Sequence, residues 1–181
     1  MRMNASTSCL LVVDVQDRLA PAIHEGERVV SNASWLVKLA REVDLPVRLT
    51  EQYPQGLGHT VPELRSLVLD DELLEKIHFS CMESDHIRRV LASLGRRQIV
   101  MAGTEAHVCV LQSALGLTQE GYEVYVVADA ISSRSQMDVQ YAVERMRMEG
   151  IRVVTREMVA FEWLGRADTD LFRKVMPRFI R

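Results

Sequence analysis

Six short apolar runs alternate with longer amphipathic segments, and this alternation limits the possible folds more than any other feature of the chain. The runs are typical of strands and span residues 9–15, 46–52, 73–79, 97–103, 122–130 and 151–157. Segment 27–44 repeats apolar residues at a helical period, and segments 84–95 and 138–150 begin on a capping Ser or Asp and end on Gly. The alternation predicts βαβ units, a mainly parallel sheet and helices on both of its faces.

The size and charge of the chain limit the number of domains and the kinds of partner that it can have. With 181 residues, 48% of them hydrophobic, it can form one domain over residues 1–181 with a sizeable core. A net charge of −3 favours neither nucleic acid nor an acidic membrane as a partner. The apolar runs are too short to span a bilayer, and the N-terminus lacks the pattern of a secretory signal. Three widely spaced cysteines are typical of reduced thiols, so we expect a cytoplasmic protein that acts on a small molecule.

Three chemically useful side chains follow the predicted strands. In an open α/β sheet, ligands bind beyond the carboxyl ends of the strands. Asp14 ends the first run, Lys76 lies in the third, and Cys109 comes shortly after the fourth, in the opening turn of the next predicted helix. An acid, an amine and a thiol are therefore expected at one edge of the sheet.

Lys76 is notable because the chain has 19 Arg and only three Lys. A lysine inside an apolar run of such a chain suggests a need for ammonium chemistry, because the pKa of Lys can shift and that of Arg cannot. The alternative is a lysine at a strand end whose ammonium group simply reaches water.

Cys109 differs from Cys9 and Cys81, which we assign to packing. A helix N-terminus and the ammonium group of Lys76 would both lower the pKa of its thiol, and Asp14 could accept the proton as a general base. The alternatives are a buried cysteine that acts as a small hydrophobe and an Asp14 that caps a helix or binds a cation.

Several other chemistries lack their motifs. The histidines and acids show no metal-ligand spacing, so neither a metal nor a cofactor is expected. A phosphate loop of the Cys-x5-Arg type would need Arg where Leu115 stands, and Cys-x-x-Cys and Gly-rich dinucleotide motifs are absent. Phosphatase, thioredoxin-like and NAD-dependent interpretations are therefore disfavoured.

Three segments contain the candidate residues: "LLVVDVQDRLAPAI", "LLEKIHFSCM" and "VMAGTEAHVCVLQSALGL". Through these segments the chain resembles the isochorismatase-like cysteine hydrolases over roughly residues 8–165. Two further segments, "TEQYPQGLG" and "DAISSRSQMD", resemble the branch of isochorismatase-domain-containing proteins. The resemblance implies a Rossmann-like α/β/α fold in three layers, with a six-stranded parallel sheet ordered 3-2-1-4-5-6. In that order the third strand lies at an edge, so Lys76 would have to reach back towards the other residues.

The resemblance also implies roles for individual residues. Cys109 would be the nucleophile, Asp14 the base and Lys76 the stabiliser of the thiolate. A cis peptide between Thr104 and Glu105 would turn backbone N–H groups, including that of Cys109, into an oxyanion hole.

The substrate is less defined by the resemblance. Gln16, Tyr53 and Phe79 are weaker candidates for a substrate pocket, and Trp163 is equally compatible with core packing. Nicotinamidases of the family carry a metal-binding Asp-x-His where this chain has Glu51-Gln52-Tyr53, which argues against a metal. The presence of Cys109 favours hydrolysis of a small amide or related C–N or acyl bond, and the resemblance implies a homo-oligomer.

Other functions remain open at this point. The first is a catalytically silent member of the family that acts as a binding or scaffold protein. The second is a redox-sensing thiol protein, although no resolving cysteine lies near Cys109 in the sequence. A nuclease has the least support, because no basic groove is visible.

Overall fold

The computed structural model describes residues 2–180, which are built around a six-stranded parallel sheet. Its strands are β1 Ser8–Val13, β2 Val47–Gln52, β3 Leu73–Lys76, β4 Gln98–Thr104, β5 Glu123–Ser132 and β6 Arg152–Val154. Their order is 3-2-1-4-5-6, which confirms the predicted sheet. The predicted third and sixth strands are too long, because pairing with their single neighbours ends at Lys76 and at Val154.

Eight α-helices connect or follow the strands of the described chain. They are α1 Gly26–Glu42, α2 Pro54–Leu57, α3 Pro62–Arg65, α4 Asp85–Ser93, α5 Leu111–Gln119, α6 Gln136–Met148, α7 Arg156–Leu164 and α8 Asp170–Phe179. Side chains cap several of them; for example, Ser84 accepts from the N–H of Ile87 at the start of α4. The irregular segment 51–64 contains α2 and the beginning of α3. Across residues 2–180, no helix is long and apolar enough to cross a membrane.

The side chains on the two faces of β1 pack against two different layers of helices. Leu10 and Val12 point into a core formed with α1, α3, α7 and α8, and this core also contains Trp163. Leu11 and Val13 point into a second core formed with α4, α5 and α6. Successive side chains of a strand face opposite sides, so β1 is covered by helices on both faces and the three-layer prediction is confirmed.

A glycine near the end of β4 lets the two central strands approach each other. Gly103 pairs with Val13 in the register of β1 and β4, and its φ of 137° favours glycine. A Cβ atom at position 103 would lie 2.1 Å from the carbonyl oxygen of Val13. The absence of a side chain therefore allows the next residues, Asp14 and Thr104, to lie in contact.

Candidate active site

Asp14 lies directly after β1 and is held by both neighbouring strands. Its N–H donates to the carbonyl of Thr50 (3.1 Å), and the hydroxyl of Thr104 donates to its own carbonyl (2.6 Å). The hydroxyl of Thr50 also donates to Asp14 Oδ1 at 2.6 Å. These contacts fix a left-handed backbone at Asp14, with φ of 53°, and a carboxylate with no exposed surface.

Lys76 is the last residue of the edge strand β3, and its side chain reaches back across β2. Lys76 Nζ lies 2.7 Å from Asp14 Oδ2 and 2.7 Å from Gln52 Oε1. The side chains of Lys76 and Asp14 are both fully buried. The long lysine stem therefore supplies the distance that the strand order demands, and the carboxyl edge holds a buried ion pair.

Cys109 lies in a turn of π-helix, Ala106–Val110, between β4 and α5. Glu105 precedes this turn with φ of 56°, a left-handed conformation that is uncommon for a residue with a side chain. No peptide bond within residues 2–180 is cis, so the cis peptide predicted between Thr104 and Glu105 is wrong. The left-handed backbone of Glu105 makes the sharp turn instead.

The pKa of the Cys109 thiol differs from the sequence-based expectation. Burial first, and then the negative charge of Asp14, raise this pKa to about 12, although Lys76 acts in the opposite direction. Only 4% of the Cys109 surface is exposed. The predicted lowering of the pKa is therefore wrong for the free protein, in which the thiol is protonated at neutral pH. The same interactions show that Cys109 lies beside both Asp14 and Lys76, so the three predicted side chains do meet.

The raised pKa of Cys109 gives a first prediction, which concerns alkylation. Below the pKa of a thiol, the thiolate fraction rises tenfold per pH unit. Because the pKa of Cys109 is raised to about 12, its iodoacetamide labelling should keep rising over roughly pH 7 to 10. Labelling would be located by peptide mass, and protein unfolded in urea, with ordinary thiols, is the control. A plateau below about pH 8 for folded Cys109 would contradict this prediction.

Two residues that contact the ion pair were missed at the sequence level. Thr50 binds Asp14 and Gln52 binds Lys76, and both come from the end of β2. The amide nitrogen of Gln52 also donates to the carbonyl of Ile77 (2.8 Å), which fixes the orientation of its amide group. One signal could have identified them: three polar residues in succession, 50–52, end a strand that has a neighbouring strand on each side.

Gln16 has a role different from the predicted contact with substrate. It is fully buried, its Oε1 accepts from the N–H of Gln52 (2.7 Å), and its Nε2 donates to the carbonyls of Gln52 (3.0 Å) and Gly58 (2.6 Å). Its amide group is therefore occupied by the backbone around Gln52. Substrate contact by Gln16 has no support from these contacts, which instead make it part of the scaffold of the site.

Glu51 stands where the resemblance places the metal-binding Asp-x-His motif of the nicotinamidases. Its carboxylate accepts from the N–H (2.6 Å) and hydroxyl (2.7 Å) of Thr60, and His59 Nδ1 lies 3.1 Å away. Burial alone would raise the pKa of Glu51, but these hydrogen bonds lower it overall. The carboxylate thus anchors the loop that follows β2. In the described part of the chain, no group of three or more His, Cys, Asp or Glu is arranged to hold a metal ion.

The ends of β2 and β3 carry exposed apolar side chains. Tyr53, Ile77 and Phe79 are 54%, 73% and 54% exposed, respectively. The N–H of Tyr53 donates to the carbonyl of Lys76 (2.8 Å), so Tyr53 and Ile77 lie at the edge of the sheet that holds the ion pair. We call these three residues the apolar rim. The use of Tyr53 and Phe79 as pocket residues stays a prediction.

A second group of polar side chains flanks the turn that carries Cys109. Arg134 Nε donates to Glu105 Oε1 at 2.7 Å, and His107 Nδ1 lies 2.9 Å from the hydroxyl of Ser133. His107 also faces Glu105 Oε2 at 3.4 Å and Asp138 at 3.9 Å. The carbonyl of Glu105 accepts from Val108 and Val110, so those N–H groups are occupied, and the N–H of Cys109 remains the predicted oxyanion donor.

Comparisons with known proteins identify the family and the fold of the chain. The model of the isochorismatase domain family matches residues 8–158. Isochorismatase domain-containing protein 2 of Danio rerio is 38% identical over 175 residues, covering 96% of this chain and 87% of that protein.

Two solved structures extend the likeness to the whole fold. The MAR1 ribonuclease of Caenorhabditis elegans has a TM-score of 0.91 and 34% identity, covering 98% of this chain and 91% of that one. The YcaC gene product of Escherichia coli, described as an octameric hydrolase of unknown specificity, has a TM-score of 0.92 and 26% identity over 99% and 91% of the two chains. The chain therefore belongs to the isochorismatase family and has the hydrolase fold of that family.

Proposed function

We propose that this protein is a cysteine-dependent hydrolase that cleaves a small amide, or a related C–N or acyl bond, through a thioester on Cys109. The observation that carries the proposal is the buried Asp14–Lys76 ion pair, 2.7 Å between Nζ and Oδ2, in contact with the Cys109 thiol. A buried thiol beside both a base and a cation is the arrangement that nucleophilic catalysis requires.

The proposed reaction has two halves, and Asp14 moves a proton in each. In the first, Cys109 Sγ attacks the amide carbonyl, Asp14 accepts the thiol proton, and that proton passes to the leaving nitrogen as ammonia or an amine departs. In the second, water donates a proton to Asp14 and attacks the thioester. The carboxylic acid is released, and the proton passes from Asp14 to the departing sulfur, which restores the thiol and the carboxylate. Lys76 stabilises the negative charge that develops on sulfur during both halves.

The raised pKa of Cys109 is compatible with this sequence of steps. The thiol keeps its proton until a substrate excludes water and the sulfur attacks, so proton transfer to Asp14 accompanies bond formation. In this mechanism the N–H of Cys109 is the proposed donor to the oxyanion, and Tyr53 and Phe79 are proposed to contact the substrate.

The test is capture of the thioester. The protein would be incubated with small primary amides and hydroxylamine, which converts an acyl thioester into a hydroxamate. We expect ammonia release, hydroxamate formation at the expense of the acid, and a transient acyl mass on the peptide that contains Cys109. Absence of turnover and of Cys109 acylation across the panel would favour the alternative, a catalytically silent protein that binds or scaffolds.

RNA cleavage is the second candidate function, because the similar structure from Caenorhabditis elegans is named as a ribonuclease. The formal net charge of −3 gives this chain no overall attraction for RNA. Incubation with a labelled RNA separates the two candidates. Cleavage that persists at high purity and disappears in Cys109→Ser would assign RNA to this site.

The proposal extends to the setting of the enzyme. By analogy with the octameric YcaC protein, we propose a homo-oligomer. Cys9, Cys81 and Cys109 are free thiols, and we propose the cytoplasm, a reducing compartment, as the location.

A further inference from the structure

We infer that the substrate is an uncharged carboxamide with an apolar substituent, and that carboxamides carrying a carboxylate are rejected. This inference rests on the proposed function and specifies its substrate class. Three features of the described residues lead to it: the charge pairing around Cys109, the acids beside the edge strand, and the apolar rim.

The cation nearest to Cys109 is already occupied. Lys76 donates to Asp14 Oδ2 and to Gln52 Oε1, both at 2.7 Å, and the side chains of Lys76 and Asp14 have no exposed surface. A substrate carboxylate would have to share this ammonium group with Asp14 or displace it. It would then leave a second anion in the same dry site without a counter-charge.

The groups on the other side of Cys109 supply no excess positive charge. Arg134 is bound to Glu105, and His107 faces both Glu105 and Asp138. Together with Asp14 and Lys76, these groups comprise three carboxylates (Asp14, Glu105 and Asp138) and two permanent cations (Lys76 and Arg134). An additional carboxylate on the substrate would therefore meet net repulsion on entering the site.

The surface beyond Lys76 is also acidic. A groove of about 410 Å³ runs beside the edge strand and is lined by Lys76 and Ile77 together with Glu75, Glu83 and Asp85. Although Lys76 lines this groove, its Nζ is directed to Asp14 and Gln52. Three carboxylates therefore lie on the surface beside Lys76, and they disfavour an anion at this surface.

The apolar rim is an uncharged surface that follows, along the chain, the two residues Gln52 and Lys76. Tyr53, Ile77 and Phe79 each expose more than half of their surface at the ends of the strands that deliver Gln52 and Lys76. An alkyl or aryl substituent placed against them would remove apolar surface from water. This contact would stabilise the bound substrate, because apolar surface of both partners leaves water. A carboxylate at the same place would instead have to lose its hydration.

The test compares two amides of equal chain length, hexanamide and adipamate, the monoamide of adipic acid. They differ in a terminal methyl group against a terminal carboxylate. At pH 7 we expect kcat/KM for ammonia release to be at least ~10-fold higher for hexanamide, since each apolar or charged mismatch of this kind is worth about one order of magnitude or more. Both activities should disappear in Cys109→Ser.

A charge substitution on the apolar rim provides a second measurement. Ile77→Lys places an ammonium group at an exposed position and should raise the adipamate-to-hexanamide ratio by at least ~3-fold, through nearby Coulomb attraction. The matched control is Leu69→Lys, which changes a residue of similar exposure, 67% against 73%, outside the rim. The control should leave the ratio unchanged.

The outcomes separate this inference from the proposed function. Preference for adipamate, with both activities dependent on Cys109, would overturn the substrate class and leave the cysteine hydrolase standing. An Ile77→Lys ratio equal to that of the wild type would also count against the charge argument. Absence of turnover of both amides would overturn the inference, and the acyl-capture experiment then decides the proposed function separately.

Discussion

Replacement of Cys109 by serine is expected to lower amide hydrolysis by at least ~10³-fold while leaving the fold intact, because removal of a nucleophile usually costs at least this much. A hydroxyl is a weaker acid and a weaker nucleophile than a thiol, and Asp14, held by Lys76 and Thr50, would have to remove its proton. The side chain is nearly isosteric and Asp14 lies beside it, so the free energy of unfolding should change by no more than about 1 kcal/mol.

The measurement is kcat/KM for ammonia release together with urea unfolding of the same preparations. Cys9→Ala is the control, because Cys9 is a buried thiol within β1 whose contacts are those of the core. This control loses some packing but should keep its rate per folded molecule. Equal activities of Cys109→Ser and the wild type would exclude sulfur as the nucleophile.

Removal of the Lys76 ammonium is expected to have the largest effect on stability. Lys76→Met leaves the fully buried carboxylate of Asp14 with the hydroxyl of Thr50 but without its cation. Breaking one side of a buried ion pair typically costs about 3–5 kcal/mol, which is a large part of the about 5–15 kcal/mol that stabilises a folded protein. Hydrolysis should also be lost, because the charge on sulfur is no longer stabilised.

A double variant separates the charge from the packing. Asp14→Asn combined with Lys76→Met removes both charges, and asparagine tolerates the left-handed backbone at position 14. This double variant should recover most of the lost stability in urea unfolding and none of the activity. Lys38→Met, which changes an exposed lysine of α1, should be nearly neutral. Equal losses in the single and double variants would show that the buried charge is not the cause.

The fold and the three central residues could be predicted from the sequence because each depends on a local pattern. Alternating runs indicate a parallel sheet, and a parallel sheet brings its carboxyl ends together, so Asp14, Lys76 and Cys109 were expected at one edge. The reach of Lys76 across β2 depends on the register between β2 and β3, in which Gln52 pairs with Lys76. No local pattern specifies that register.

The properties of Cys109 could not be predicted in the same way. The expectation of a low pKa assumed a regular helix start open to water, whereas the structure has a π turn and 4% exposure. Burial depends on residues distant in sequence, such as those of β1 and α6 that share its core. The roles of Thr50 and Gln52 could not be predicted for the same reason. These residues contact the ion pair only when β1, β2 and β3 lie side by side.

The spacing of β1 and β4 depends on Gly103, the residue whose missing side chain leaves room for the carbonyl of Val13. A single added methyl group there would collide with backbone at 2.1 Å, and no rotation of a side chain can relieve such a collision. Mutational drift at position 103 is therefore confined to glycine as long as Asp14 and Thr104 stay in contact. A designer who transfers this site to another scaffold must therefore keep a glycine at the position of Gly103, in addition to the acid, the amine and the thiol.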